Sequence, residues 1–258
     1  MISALFFARF RFKRLLAWLF AAFLLGGGAV AAYLPVPLEQ LRFLREEMPE
    51  LFTVLGFVGD SNLPAFVLGV LYGLLLLVLT GMQAVSLGRH LFARPLADGR
   101  LAQLLAAPYA RASVLLVHFL VLTAWGVLTQ AACLFGQMLS AMLLFPGADL
   151  AALSRLTIGF IPTALLLSFC CCLLALVSPA EARYARRARL LFALMLMLAM
   201  AARLPGRTRF LRFFSVWSLF DGRGLAFGTG GWGLAGVAGG LTLVCLAAAA
   251  LYFQQREL

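Results

Sequence analysis

The chain has 258 residues, 64% of them apolar and 12% charged, and a formal net charge of +11. That composition excludes a soluble domain, because too little polar surface would remain to face water. At roughly 20 residues per bilayer-spanning helix the apolar runs make about six spans, which leaves no room for a soluble catalytic domain.

The first predicted element is Leu5–Arg14, "LFFARFRFKR", where apolar and basic positions alternate. This is an interfacial helix, residues 5–14, with its cations toward lipid phosphates. The apolar run that follows is too long for the core of a signal peptide, and "GGGAVAAY" continues it without a clear cleavage site. It is a retained first span, about 15–34. In the next stretch, Pro35–Asn62, Glu39, Glu46, Glu47, Glu50 and Asp60 outnumber Arg42 and Arg45, as expected of an outer loop.

The second span covers about 63–87 and the third about 113–144, with the polar segment 97–111 between them. "FPGADLAALSR" leads to a fourth span at about 156–177, and the Arg-rich "SPAEARYARRAR" reads as cytoplasmic. A short apolar run, Leu190–Ala202, supplies a fifth span at about 188–204. A basic stretch through "SVWSLFDG" precedes the last span, about 232–253, and the chain closes on "FQQREL".

With both termini in the cytoplasm, the inner segments hold thirteen basic residues and the outer ones eight. The excess of Lys and Arg in cytoplasmic segments favours this orientation. Against it stand Arg203, Arg207, Arg209, Arg212 and Arg223, which would lie outside. Either the fifth run crosses as a short span and is followed by an amphipathic re-entrant element, or it does not cross and the count is odd. The first is preferred, because an odd count would leave the C-terminus outside. The expectation is one all-α polytopic domain over residues 1–258, integral to the cytoplasmic membrane.

Several chemistries lack their residues. No phosphate loop of the G-x-x-x-x-G-K-[ST] kind occurs, and Lys13 is the sole lysine. H-E-x-x-H and G-x-S-x-G are absent too. Cys133, Cys170, Cys171, Cys172 and Cys245 all sit in apolar runs, as small packing residues do, without the paired spacing of a metal site. His90 and His118 stand alone near membrane boundaries and read as interfacial hydrogen bonders. All ten acidic residues fall in loops or at span ends, which argues against an ion-driven transporter. The basic residues lie between apolar runs rather than on one face, so nucleic acid is not an expected partner.

Two features remain. On the third span Thr123, Gly126, Gln130, Cys133, Gln137 and Ser140 recur at three- and four-residue steps, on one helical face. They line a substrate path or pack helices closely through small residues and interhelical hydrogen bonds. Thr80 and Gln83 on the second span pose the same choice. The other feature is "ADGRLAQLLAAPYAR", Ala97–Arg111, with Asp98 as a candidate N-cap, Leu101, Leu104 and Leu105 on an apolar face, and Pro108 to end the turn. It reads as a short cytoplasmic surface helix that offers a soluble partner a handle.

The order of Gly99, Leu101, Leu104, Leu105, Pro108 and Arg111 resembles the loop between the second and third spans of ABC type-2 exporter permeases. The amphipathic start, the terminal "FQQREL" and Ser215–Gly222, where that family often has a Ser-Pro and Asp-Pro stretch, agree in order. Arg100, Ala102 and His118 depart from the family's usual Thr, acidic residue and Lys, and Val216 and Gly222 replace its two prolines. The resemblance implies that segment 97–111 is a coupling helix docking into a separate ATPase. It further implies two ATPase subunits that bind ATP and Mg, and a second permease subunit, identical or related. This chain itself would hold no cofactor and do no catalysis. The long spans with few charges suggest a hydrophobic or amphipathic cargo such as a peptide, drug or lipid-linked molecule. A non-transporting assembly or sensor subunit and an intramembrane enzyme are the alternatives.

Overall fold

A computed structural model describes residues 12–34, 46–47, 62–99, 111–178, 180–203 and 215–255. These form α1 (Phe12–Ala31), α2 (Leu63–Ala97), α3 (Arg111–Leu144), α4 (Leu150–Val177), α5 (Glu181–Ala201), a 3-10 turn at Val216–Leu219, α6 (Gly222–Phe227) and α7 (Trp232–Gln255). No strand occurs among the described residues. Five helices, α1, α2, α3, α4 and α7, are long and apolar enough to cross a membrane.

The run expected as a fifth span forms the second half of α5, which is not one of those five. The reason is charge: α5 has 21 residues, one more than α1, but arginines occupy its first half, and the apolar Leu190–Ala202 rises only about 20 Å, against roughly 30 Å of hydrocarbon. The first half of α5 carries Arg183, Arg186, Arg187 and Arg189, all exposed. Of the interfacial helix 5–14, only Phe12–Arg14 are described, as the first turn of α1 and continuous with the first span.

α2 outruns its expected end at residue 87. Asn62 caps its start, the side-chain oxygen accepting from the Ala65 amide at 3.1 Å, and Pro64 sits in the first turn, where no amide partner is lost. Its 35 residues rise about 50 Å, well beyond the hydrocarbon. Two stretches, Leu68–Leu75 and Arg89–Ala93, wind as π-helix. Asp98 and Gly99 then stop the helix. Asp98 sits 3.7 Å from Arg94, and Gly99, at φ 69, donates its amide to the Leu96 carbonyl at 3.3 Å. The residue expected to cap the start of a new helix is therefore the C-cap of α2.

Glycines set the closest helix contacts. α1 and α3 run parallel, Phe23 against Phe135 and, ten residues on in each, Tyr33 against Phe145. Beside the first pair Gly26 meets the Cys133 carbonyl and Gly136 meets the Phe23 carbonyl, backbone against backbone. α5 lies antiparallel to α2. Tyr184 fits the notch at Gly88 and donates to the Val85 carbonyl at 2.9 Å, and Phe192 fills the notch at Gly81. Arg89 of α2 and Glu181, the first residue of α5, pair at 2.6 Å.

The stretch from Ser215 onward folds back onto α4 and α2. Ser215 donates to the Met195 carbonyl at 3.3 Å, and Trp217 stacks on Phe160 with centroids 5.9 Å apart. Asp221 caps α6 through the Gly224 amide at 3.1 Å. Gly228, at φ 70, ends that helix with its amide on the Leu225 carbonyl at 3.4 Å, and Arg155 of α4 donates to the same carbonyl and to that of Ala226. Asp149 caps α4 in turn, 2.9 Å from the Ala152 amide. Lys13, Arg14, Arg89, His90, Arg94 and the arginines of α5 thus gather at one end, the basic end; Asn62, Asp149 and Arg155 mark the other.

Candidate functional site

The polar stripe of α3 divides by depth and partner. Gly126 packs against Leu165 of α4, and Ser140 lies beside Gly27 of α1. Thr123 is half-buried. Gln130, Cys133 and Gln137 are sealed inside, none more than 1% exposed. One face of the helix therefore serves three neighbours, α1, α2 and α4, with small residues as contact notches and the glutamines turned inward.

Gln137 enters a four-residue cluster shared by α2, α3 and α4. Tyr72 and Thr157 hydroxyls lie 2.6 Å apart, and Gln137 Nε2 reaches Tyr72 Oη at 3.2 Å, Thr157 Oγ1 at 3.4 Å and Cys133 Sγ at 3.4 Å. Proton counting sets the directions. Thr157 gives its only hydroxyl proton to the Leu153 carbonyl at 3.1 Å, so Tyr72 donates to Thr157 and accepts from Gln137. Gln130 Oε1, Gln137 Oε1 and Thr163 Oγ1 are buried without a hydrogen-bond partner among the described residues. Such orphan acceptors are costly in an apolar interior.

The smaller patch on α2 divides too. Thr80 turns back on its own helix, donating to the Leu76 carbonyl at 2.7 Å. Gln83 crosses to α3, donating to Thr129 Oγ1 at 2.7 Å and to the Trp125 carbonyl at 3.4 Å. Sequence spacing missed Thr129, which lies one position off the stripe. Tyr72 and Thr157 escaped it as well, since they lie on different helices and only the fold brings them together.

Tyr72 sits in the π-helical Leu68–Leu75 stretch, a conformation that concentrates at functional positions. Beside it, Arg203 from the end of α5 donates to the Gly73 carbonyl at 2.9 Å. Phe160 meets the Tyr72 ring edge-on at 5.6 Å, and Phe220 from the folded-back stretch stacks on it at 5.4 Å. The Ser215–Gly222 motif thus places an aromatic lid on the polar cluster.

Gln137→Leu removes the donor to Tyr72 and is expected to cost about 1 kcal/mol, the usual worth of an interhelical hydrogen bond in a membrane. Gln130→Leu, which discards an orphan acceptor, should cost less. Thermal unfolding of the two variants in detergent ranks them; a larger loss at Gln130 would contradict this division of the stripe.

Segment 97–111 is described only at its edges. Leu101, Leu104, Leu105 and Pro108 lie outside the described residues, Gly99 ends α2, and Arg111 begins α3. His118 is buried, its Nδ1 donating to the Val114 carbonyl at 2.7 Å, and His90 contacts Arg14 of α1. All five cysteines are free thiols, and no group of three metal-ligating side chains occurs among the described residues.

These features define a class: an all-helical protein with five helices fit to cross a membrane, a sealed polar cluster among them and a basic end. Compared with family models, curated proteins and solved structures, the chain matches none.

Proposed function

We propose that the chain is the permease subunit of an ATP-driven exporter, a six-span subunit that pairs with a second permease and works with two separate ATPase subunits. The observation that carries this reading is segment 97–111, whose order of Gly99, Leu101, Leu104, Leu105, Pro108 and Arg111 resembles a coupling helix. Its surroundings suit the role. α2 and α3 are both longer than the hydrocarbon is thick, and the segment joins them at the basic end. A push on it moves two long helices, one of which carries Tyr72 and the other Gln137.

The basic end is the cytoplasmic one, as the distribution of Lys and Arg favours. Both termini then lie inside. The sixth crossing is the short span 188–204, and the stretch from there to α7 is a re-entrant element on the outer side. ATP and Mg belong to the partner, and the cargo is hydrophobic or amphipathic, in keeping with spans that hold no acidic side chain in their interior.

The chain purified from its own membranes in mild detergent is expected to bring an ATPase subunit with it, and vesicles holding the complex to move cargo only with Mg and ATP. A chain that purifies alone, with no ATPase bound in any detergent or in nanodiscs, overturns the reading. Topology is tested by cysteine labelling after the five native cysteines are replaced. Cysteines introduced at Arg100 and Arg187 should react from the cytoplasmic side, and those at Glu47 and Arg207 from the outer side. Reaction at 207 from the cytoplasm alone removes the sixth crossing.

A further inference from the structure

At the basic end, Arg14 in the first turn of α1 donates from Nη1 to Nε2 of His90 on α2. A guanidinium only donates, so the imidazole nitrogen accepts and carries no proton at that atom. This contact joins two basic side chains. Arg89 has Glu181 and Arg94 has Asp98, but among the described residues no carboxylate pairs with Arg14. Lys13, exposed beside it, adds further positive charge.

Arg14 and His90 line a notch of about 20 Å³ together with Ser86, Leu87, Trp18 and Trp125. It holds no carboxylate, and its walls are two indoles and two leucines, Leu87 and Leu91. Indoles favour the depth of lipid headgroups, where one part of the ring is apolar and another wet. The volume admits one oxygen-sized group, so an anion would rest on the mouth with one oxygen entering.

We infer that this notch binds the phosphate of an anionic phospholipid from the leaflet at the basic end. A phosphate oxygen replaces His90 as the guanidinium's acceptor, and the imidazole turns its own N–H to the same phosphate. A free phosphate ion would gain nothing from Trp18, Leu87 and Trp125, whereas the glycerol and first acyl carbons of a lipid lie against them. Basic recesses between membrane helices on the cytoplasmic side recognise lipid headgroups in this way. The inference needs only that the chain be embedded in a bilayer, and it stands apart from the exporter reading.

The test is native mass spectrometry of the full-length chain titrated with dioleoylphosphatidylglycerol or dioleoylphosphatidylcholine. Wild type should retain the anionic lipid in preference, and Arg14→Gln should cut that preference about fivefold, the worth of one basic residue near a lipid surface. His90→Gln should cut it by less, and the double variant by more than either alone. Arg186→Gln with Arg187→Gln removes two charges from the same end but none from the notch and should lower the preference by less than Arg14→Gln alone. Each single variant is decisive by itself if the double variant does not fold. Equal retention of both lipids by wild type overturns the inference, as does unchanged preference in Arg14→Gln or an equal loss in the α5 variant. Displacement of the anionic lipid by millimolar inorganic phosphate would make the notch a free-anion site and overturn it likewise.

Discussion

Replacing Leu104 and Leu105 together with aspartate is expected to release the ATPase subunit while the chain stays in the membrane at normal levels. On the exporter reading these leucines fill a groove on the ATPase, where each is worth roughly 1.5–3 kcal/mol of buried apolar surface. The substitution forfeits both and brings two carboxylates against the same groove. Desolvating an unpaired carboxylate costs more than the leucine contributed, so the combined penalty exceeds what an interface spreads over its remaining contacts. Insertion is unaffected because the change lies outside every span. Asp98 and Gly99, which stop α2, are left in place, so the long helix ends where it did. Co-purification and ATP-dependent export in vesicles read the outcome. A double variant that keeps both its ATPase and its transport would refute the docking role of this segment and, with it, the exporter assignment.

The five membrane-length helices could be read from the sequence because each holds an apolar run bounded by charged or turn-forming residues. The limits of that reading are equally physical. Asp98 and Gly99 suit a helix start and a helix end alike; the choice fell to the end because Arg94, one turn earlier, pairs with Asp98 and the glycine takes a positive φ. The α3 stripe was visible as a period, yet a period says which face, not which neighbour. Ser140 faces α1 while Gln137 faces Tyr72 of α2 and Thr157 of α4, a split that only the arrangement of the neighbouring helices decides. Gly81 and Gly88 in α2 gave no signal, since a glycine in an apolar helix looks the same whether or not an aromatic ring from α5 fills the space above it. The run 190–202 carried the clearest warning: its flanking arginines and short length marked it as different, and α5 is the one long helix that fails to qualify as a span.

The three consecutive glycines of α1 should respond to alanine in three different ways, although the sequence presents them as equivalents. A methyl at Gly26 falls against the Cys133 carbonyl and α-carbon of α3, and no side-chain rotation relieves a clash with backbone. Gly26→Ala must push the two parallel helices apart, losing contacts along their shared length, and is expected to cost about 2–3 kcal/mol, the upper part of the usual overpacking range. At Gly27 the methyl meets the Ser140 hydroxyl at 2.9 Å and the Gly136 carbonyl at 3.3 Å. The hydroxyl can rotate away, so Gly27→Ala should cost under about 1 kcal/mol. At Gly28 nothing lies within 4 Å, and the position is exposed. There alanine only restricts the unfolded chain and favours the helix, so Gly28→Ala should leave stability unchanged or raise it by up to about 1 kcal/mol. Thermal unfolding of the three variants in one detergent, followed by a reporter that senses loss of helix packing, gives the order directly. Equal shifts for all three would mean that α1 meets α3 on some other face. A loss at Gly28 larger than at Gly26 would place the interface on the side now turned to lipid.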